Sequence, residues 1–125
     1  MSISGLPAIG YTLTCPDSTT LVAIDDPAFG ADAVSPPDNA ESVVILNLDS
    51  ANRIYVKFGS VTAVNASNMT ISNSTVIPPL GAMTFDIGAL AQQRAPIGSG
   101  PRDQVNGFIK PAAGTNLLVN VTYLM

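Results

Sequence analysis

Apolar residues in this 125-residue chain recur at every second position and almost nowhere at helical spacing, which restricts it to strands and turns. The one stretch with room for a helical turn or two is residues 87–94, and Pro96 closes it. Alternation is clear in Ile54-Tyr55-Val56-Lys57-Phe58, where Ile54, Val56 and Phe58 share a face, and in Met83-Thr84-Phe85-Asp86-Ile87. Near the C-terminus Leu117, Val119, Val121 and Tyr123 point one way, while Leu118, Asn120, Thr122 and Leu124 point the other. Residues 42–48 carry apolar side chains on both faces until Asn47, the pattern of a central strand covered on both sides or of one face of a subunit contact. Strands are expected near 11–15, 20–24, 42–48, 53–59, 61–64, 69–77, 83–88, 105–110 and 116–124, with mergers leaving seven or eight.

Turn chemistry separates these runs. Asp49-Ser50-Ala51-Asn52 reads as a hairpin between two strands, Pro78-Pro79-Leu80-Gly81 precedes a third, and Pro111-Ala112-Ala113-Gly114 precedes the last. Short strands at this spacing, with no long helix and no dividing linker, predict an all-β fold: a single-domain antiparallel β-sandwich or jelly-roll-like barrel spanning residues 1–125. Two segments resist a strand reading, the Pro-rich loops 25–40 and 95–103, and an N-terminal arm of about residues 1–10 precedes the strands. Pro-rich loops lose little extra entropy when a partner orders them. The expected partner contacts therefore fall on Ile3, Leu6 and Pro7 of the arm, on Pro27, Phe29, Pro36 and Pro37, and on Arg94, Pro96 and Arg102.

Composition removes most chemistry. The chain has no His, so it offers no imidazole base and no His-ligated metal. Its single Cys forms neither an intrachain disulfide nor a thiolate zinc site. Cys15, beside Pro16 at a strand end, reads as a small buried hydrophobe rather than a nucleophile. Asp25, Asp26, Asp32 and Asp38 are locally dense, yet their spacing matches no calcium loop, and they read as solvated acidic surface. Neither Asp25 with Asp26 nor Asp86 with Asp103 comes with the pattern of an acid/base pair, and Gly98-Ser99-Gly100 lacks the helix and Lys-Ser/Thr of a phosphate loop. No catalytic, metal or cofactor site is expected, and no enzymatic activity.

What remains is a surface suited to being covered. Five cations and nine anions, spread over the ~6,300 Å² a folded chain of this mass exposes, leave about 450 Å² per charge, where an ordinary domain has about 200 Å². Ser, Thr and Asn supply the missing polarity, and neutral polar groups are cheaper than charges to desolvate in a permanent contact. With the two-sided run 42–48, this predicts a closed oligomer rather than a monomer, and Arg53, Arg94 and Arg102 are candidates to meet carboxylates at contacts. A net charge of −4 disfavours nucleic acid and anionic membrane as partners. Residues 1–10 hold no Lys, Arg or long apolar run, and no segment reaches membrane-spanning length, so synthesis in a cytoplasm without a secretory signal is expected.

The run Val44-Ile45-Leu46-Asn47-Leu48, then Arg53-Ile54-Tyr55-Val56-Lys57-Phe58-Gly59, then Asn73-Ser74-Thr75-Val76-Ile77-Pro78-Pro79-Leu80-Gly81-Ala82-Met83-Thr84-Phe85-Asp86-Ile87-Gly88 resembles small structural head proteins of tailed bacteriophages. In particular it is similar to the decoration or cement proteins that sit on a capsid shell. The resemblance covers about the middle third of the chain and rests on a short strand, a Pro-Pro-x-Gly corner and a Phe-Asp-Ile-Gly strand. It implies a non-enzymatic β-sandwich, commonly a homotrimer, located on the virion surface, that clamps neighbouring subunits of the major capsid protein against the strain of packaged DNA. Two alternatives stay open: a receptor- or carbohydrate-binding module of a phage tail or fibre, and a head-tail connector. Exposed aromatic platforms would mark the sugar binder.

Overall fold

The computed structural model describes residues 8–24, 41–60, 69–71, 73–87 and 105–124. These form eight strands and, among the described residues, no helix: β1 (Ala8–Asp17), β2 (Val22–Ala23), β3 (Ser42–Asn47), β4 (Ile54–Ser60), β5 (Thr75–Ile77), β6 (Ala82–Asp86), β7 (Val105–Pro111) and β8 (Thr115–Leu124). Each strand of the first half pairs antiparallel with its mirror in the second: β1 with β8, β2 with β7, β3 with β6, β4 with β5. The chain is thus one long ribbon folded at its middle, then rolled so that β3 also meets β8 and β4 also meets β7. Rolling yields two four-stranded sheets, a first ordered β1-β8-β3-β6 and a second ordered β2-β7-β4-β5. This is the strand order of a jelly roll.

The alternating rows meet between the sheets. Tyr11, Leu13, Cys15, Val43, Ile45, Leu117, Val119, Val121 and Tyr123 of the first sheet face Val22, Ile54, Val56, Ile77 and Ile109 of the second, all buried. Phe58 and Phe85, with ring centroids 5.1 Å apart, pack against one side of this core. The rows read from alternation in β4 and β8 are the rows found inside.

Several expectations need correction. Asp49-Ser50-Ala51-Asn52 does not close a hairpin, because β3 lies in the first sheet and β4 in the second. The turn is an arch, held by the Asp49 carboxylate accepting the Ala51 and Asn52 amides at 3.0 and 2.6 Å. Of residues 42–48, Ser42–Asn47 form a strand flanked on both edges by β8 and β6, but it is not covered on both faces: Val43, Ile45 and Asn47 are inside, while Val44 and Leu46 are only half-buried. The run 69–77 is a strand only at Thr75–Ile77, since Asn73 closes a turn by accepting the Thr70 amide at 2.7 Å. Met69 instead tucks against Phe108 on the outer side of the second sheet, with Leu21, Ala23 and Tyr55 around it. The run 20–24 is reduced to Val22–Ala23. The arm is shorter than residues 1–10, because β1 starts at Ala8, paired with Leu124. Ile87 is buried and extends the ladder through its amide to the Glu41 carbonyl at 3.0 Å; 61–64 and 88–94, the rest of the expected helical stretch, lie outside the described residues.

The register sorts the connections into two poles. At the turn pole, four short links (18–21, 48–53, 78–81 and 112–114) each cross from one sheet to the other. A few extended residues at about 3.4 Å each suffice to span the ~10 Å between packed sheets. The last link needs Gly114: its φ is +87°, and a Cβ there would lie 2.6 Å from Asn52 Nδ2. At the opposite, terminal pole lie Ala8, Ser42, Ser60, Asp86, Val105 and Leu124, the described strand ends nearest the remaining segments and both chain termini.

Candidate functional site

The ten expected contact residues, Ile3, Leu6, Pro7, Pro27, Phe29, Pro36, Pro37, Arg94, Pro96 and Arg102, lie outside the described residues, as do Asp25, Asp26, Asp32, Asp38, Asp103 and residues 98–100. What the topology does fix is where their segments attach. Residues 1–7, 25–40 and 88–104 all adjoin strand ends at the terminal pole. The sequence treats these segments as three separate stretches, and the rolled ribbon gives them one point of departure.

The turn pole carries a shallow cleft of about 360 Å³, lined by Ala51, Asn52, Arg53, Tyr55, Pro79, Ala112 and Ala113. Its described lining brings one cation and one phenol together with small apolar walls, and no carboxylate or thiol beside them. Arg53, a candidate from the sequence, is exposed here, with its carbonyl accepting the Ala112 amide at 3.0 Å. The two described carboxylates of the turn pole are committed to their own loops. Asp17 accepts from the Thr19 hydroxyl, the Thr19 amide and the Thr20 hydroxyl at 2.8–2.9 Å, which holds it below the usual carboxylate range. Asp49 is held low in the same way, first by the Asn52 amide and then by that of Ala51. Among the described residues no three His, Cys, Asp or Glu side chains cluster as a metal site would need.

Cys15 is fully buried in the core, and burial pushes its thiol up to about 12. The native protein is therefore expected to ignore a disulfide thiol reagent at pH 8 and to react stoichiometrically once denatured; fast labelling of the folded chain would contradict the burial. The described aromatics are also committed. Tyr11 and Tyr123 are in the core, with their rings 6.2 Å apart; Phe58, Phe85 and Phe108 pack within clusters; and Tyr55 is half-buried with Lys110 Nζ 5.8 Å from its ring centre. Among the described residues, no aromatic is exposed as a flat platform.

The outward faces of the two sheets differ in charge. The second sheet turns Lys57 and Lys110 outward, alongside the Met69 cluster. The first turns out Thr12 and Thr14 from β1, Leu118, Asn120, Thr122 and Leu124 from β8, Val44 and Leu46 from β3, and Ala82 and Thr84 from β6. Among the described residues, Asp86, at the corner of β6, is the one charged side chain on this face. At the centre of the face two polar side chains are already paired: the Thr122 hydroxyl donates to Asn120 Oδ1 at 2.9 Å, and Asn120 Nδ2 donates to the Tyr11 carbonyl at 3.1 Å. Leu48 and Leu118, 39% and 47% exposed, adjoin each other on it, with the Leu48 amide donating to the Leu118 carbonyl. The β8 half of this face was legible from alternation; its extension over β1 and β3 was not.

Fold and surface together define a jelly-roll sandwich with a charge-poor sheet face and its longer connecting segments attached at one pole. The chain matches no protein-family model and no curated protein.

Proposed function

We propose that this chain is a structural protein of a bacteriophage head, a decoration or cement protein that binds the major capsid protein from outside and stabilises the shell without turnover. The observation that carries the reading is the attachment of residues 1–7, 25–40 and 88–104 at the terminal pole, which gives one end of the sandwich several segments with which to engage neighbouring coat subunits. The jelly roll is a recurrent virion architecture, and the residues of the resemblance fall on β3 to β6. The packed aromatics favour this role over the carbohydrate-binding one. The protein acts as a closed homo-oligomer, for which the resemblance implies three copies.

A ligand that binds only the mature shell raises its stability by mass action, to an extent set by occupancy and affinity. Particles stripped of the protein are expected to release their genome at lower temperature, or under milder chelator stress, than complete ones. Deleting residues 1–7 is expected to weaken shell binding while leaving the melting temperature of the isolated protein unchanged, since β1 starts at Ala8. Equal melting of stripped and complete particles, with host attachment impaired, would favour the receptor-binding alternative instead.

A further inference from the structure

We propose that the outer face of the first sheet is a self-association surface, on which two copies of this chain pack sheet against sheet about a twofold axis. The inference rests on the closed-oligomer part of the reading above and is independent of the shell.

Charge selects the face. The chain carries a net charge of −4, so two copies approaching through most orientations bring like charges together. The described carboxylates Asp17 and Asp49 stand at the turn pole, Glu41 and Asp86 near the terminal pole, and Lys57 and Lys110 on the outside of the second sheet. Between the poles, the described residues of the first sheet present uncharged side chains across β1, β8, β3 and the Ala82–Thr84 part of β6, with Asp86 at the corner, so two copies can meet there with that carboxylate left at the rim.

Desolvation points the same way. Covering a polar group costs free energy when its hydrogen bond to water is lost without replacement. Asn120 and Thr122 already bond to each other and to the Tyr11 carbonyl, so much of their demand is met before any partner arrives. The apolar contribution comes from Leu48 and Leu118, with half-buried Val44 and Leu46 beside them.

Area is sufficient for a pair. Four strands about 4.8 Å apart, averaging about eight residues at roughly 3.3 Å each, present on the order of 500 Å². Two such faces bury about 1,000 Å², the lower bound of a stable interface. Sheets packed face to face keep their strands within about 30° of one another, a geometry an uninterrupted face accepts. A patch that contacts its own copy is isologous and closes at two chains, where the resemblance implies three.

Sedimentation equilibrium on the full chain, in buffer without capsid, tests this. The wild type is expected at twice the 12.8 kDa chain mass at micromolar concentration. Leu118→Glu, which buries an unpaired carboxylate in the interface but sits exposed in one chain, is expected to weaken association at least about a hundredfold while leaving the strand signal of circular dichroism unchanged. Ile71→Glu, at an exposed position in the Thr70–Asn73 turn beside the second sheet, serves as the control and is expected to leave the mass unchanged. A monomeric wild type overturns the proposal and the closed oligomer with it. Leu118→Glu that stays at the wild-type mass, or a wild type of three chains, overturns the face-to-face pair alone. Loss of shell binding in Leu118→Glu without change in mass gives the face to the coat protein, and likewise overturns self-association.

Discussion

Replacing Asn47 by leucine is expected to destabilise the fold by about 3 kcal/mol, a large share of the 5–15 kcal/mol typical of a domain. Asn47 is fully buried at the end of β3, and one side chain ties three segments together. Its Nδ2 donates to the carbonyls of Asn52, Pro78 and Ile77 at 2.8, 3.2 and 3.4 Å, and its Oδ1 accepts the Asp49 amide at 3.0 Å. Leucine fills similar space but takes the side-chain partner from the Asn52 carbonyl and the Asp49 amide, while the Pro78 carbonyl keeps only the Gly81 amide. At about 4 °C per kcal/mol for this size, the melting temperature should fall by roughly 10–15 °C. Asn47→Asp is the sharper variant, because it aims a carboxylate at three carbonyl oxygens. Such a group has a raised pKa in the folded state, so the native form binds the extra proton; N47D should be least stable at neutral pH and recover as the pH falls. Melting curves at two pH values check both variants, and a leucine variant within 1 °C of wild type would show that the arch does not depend on this side chain.

Tyr123→Ala is expected to cost about 4 kcal/mol, enough to leave much of the chain unfolded if overall stability is ordinary. Tyr123 is the largest fully buried side chain among the described residues, and it sits on β8 between Ile9 of β1 and Val43 of β3. Its hydroxyl lies 3.4 Å from that of Tyr11. Tyr123→Phe keeps the ring and should cost only about 1 kcal/mol. Denaturant unfolding of the pair separates packing from hydrogen bonding. Losses of equal size would mean that the hydroxyl, not the ring, holds this end of the sandwich.

The contrast with the other terminus is physical rather than positional. Residues 122–124 lie inside a sheet, paired on both sides with β1 and β3, whereas the described ladder of β1 begins only at Ala8. An alternating run such as 117–124 announces one buried row, but its place in the strand order does not follow from the run. Asn47 was open to discovery in the sequence: it has the same parity as Val43 and Ile45, so alternation itself puts a polar side chain inside. What no local pattern supplied was the set of carbonyls from two other turns that satisfies it.

The candidate surface divides in the same way. Low charge density pointed to a surface built for contact, and the outward row of β8 could be read residue by residue. That Thr12, Asn120 and Leu46 fall side by side depends on β8 pairing with β1 on one edge and β3 on the other. Those partners are separated by most of the chain, and nothing within a short window encodes them.

By itself the sequence determined the all-β class, the inward rows of β4 and β8, the burial of Cys15 and the positions of three of the four tight links. These follow from side-chain period and turn stereochemistry, which act over a few residues. Tertiary structure alone decided that the turn after β3 is an arch rather than a hairpin, that four tight links share one pole, and that the charges leave one sheet face nearly empty. A strand that buries alternate residues shows the same pattern whether its successor lies beside it or across the core. The choice is made when both edges of β3 are taken by β8 and β6, and both edges of β4 by β7 and β5.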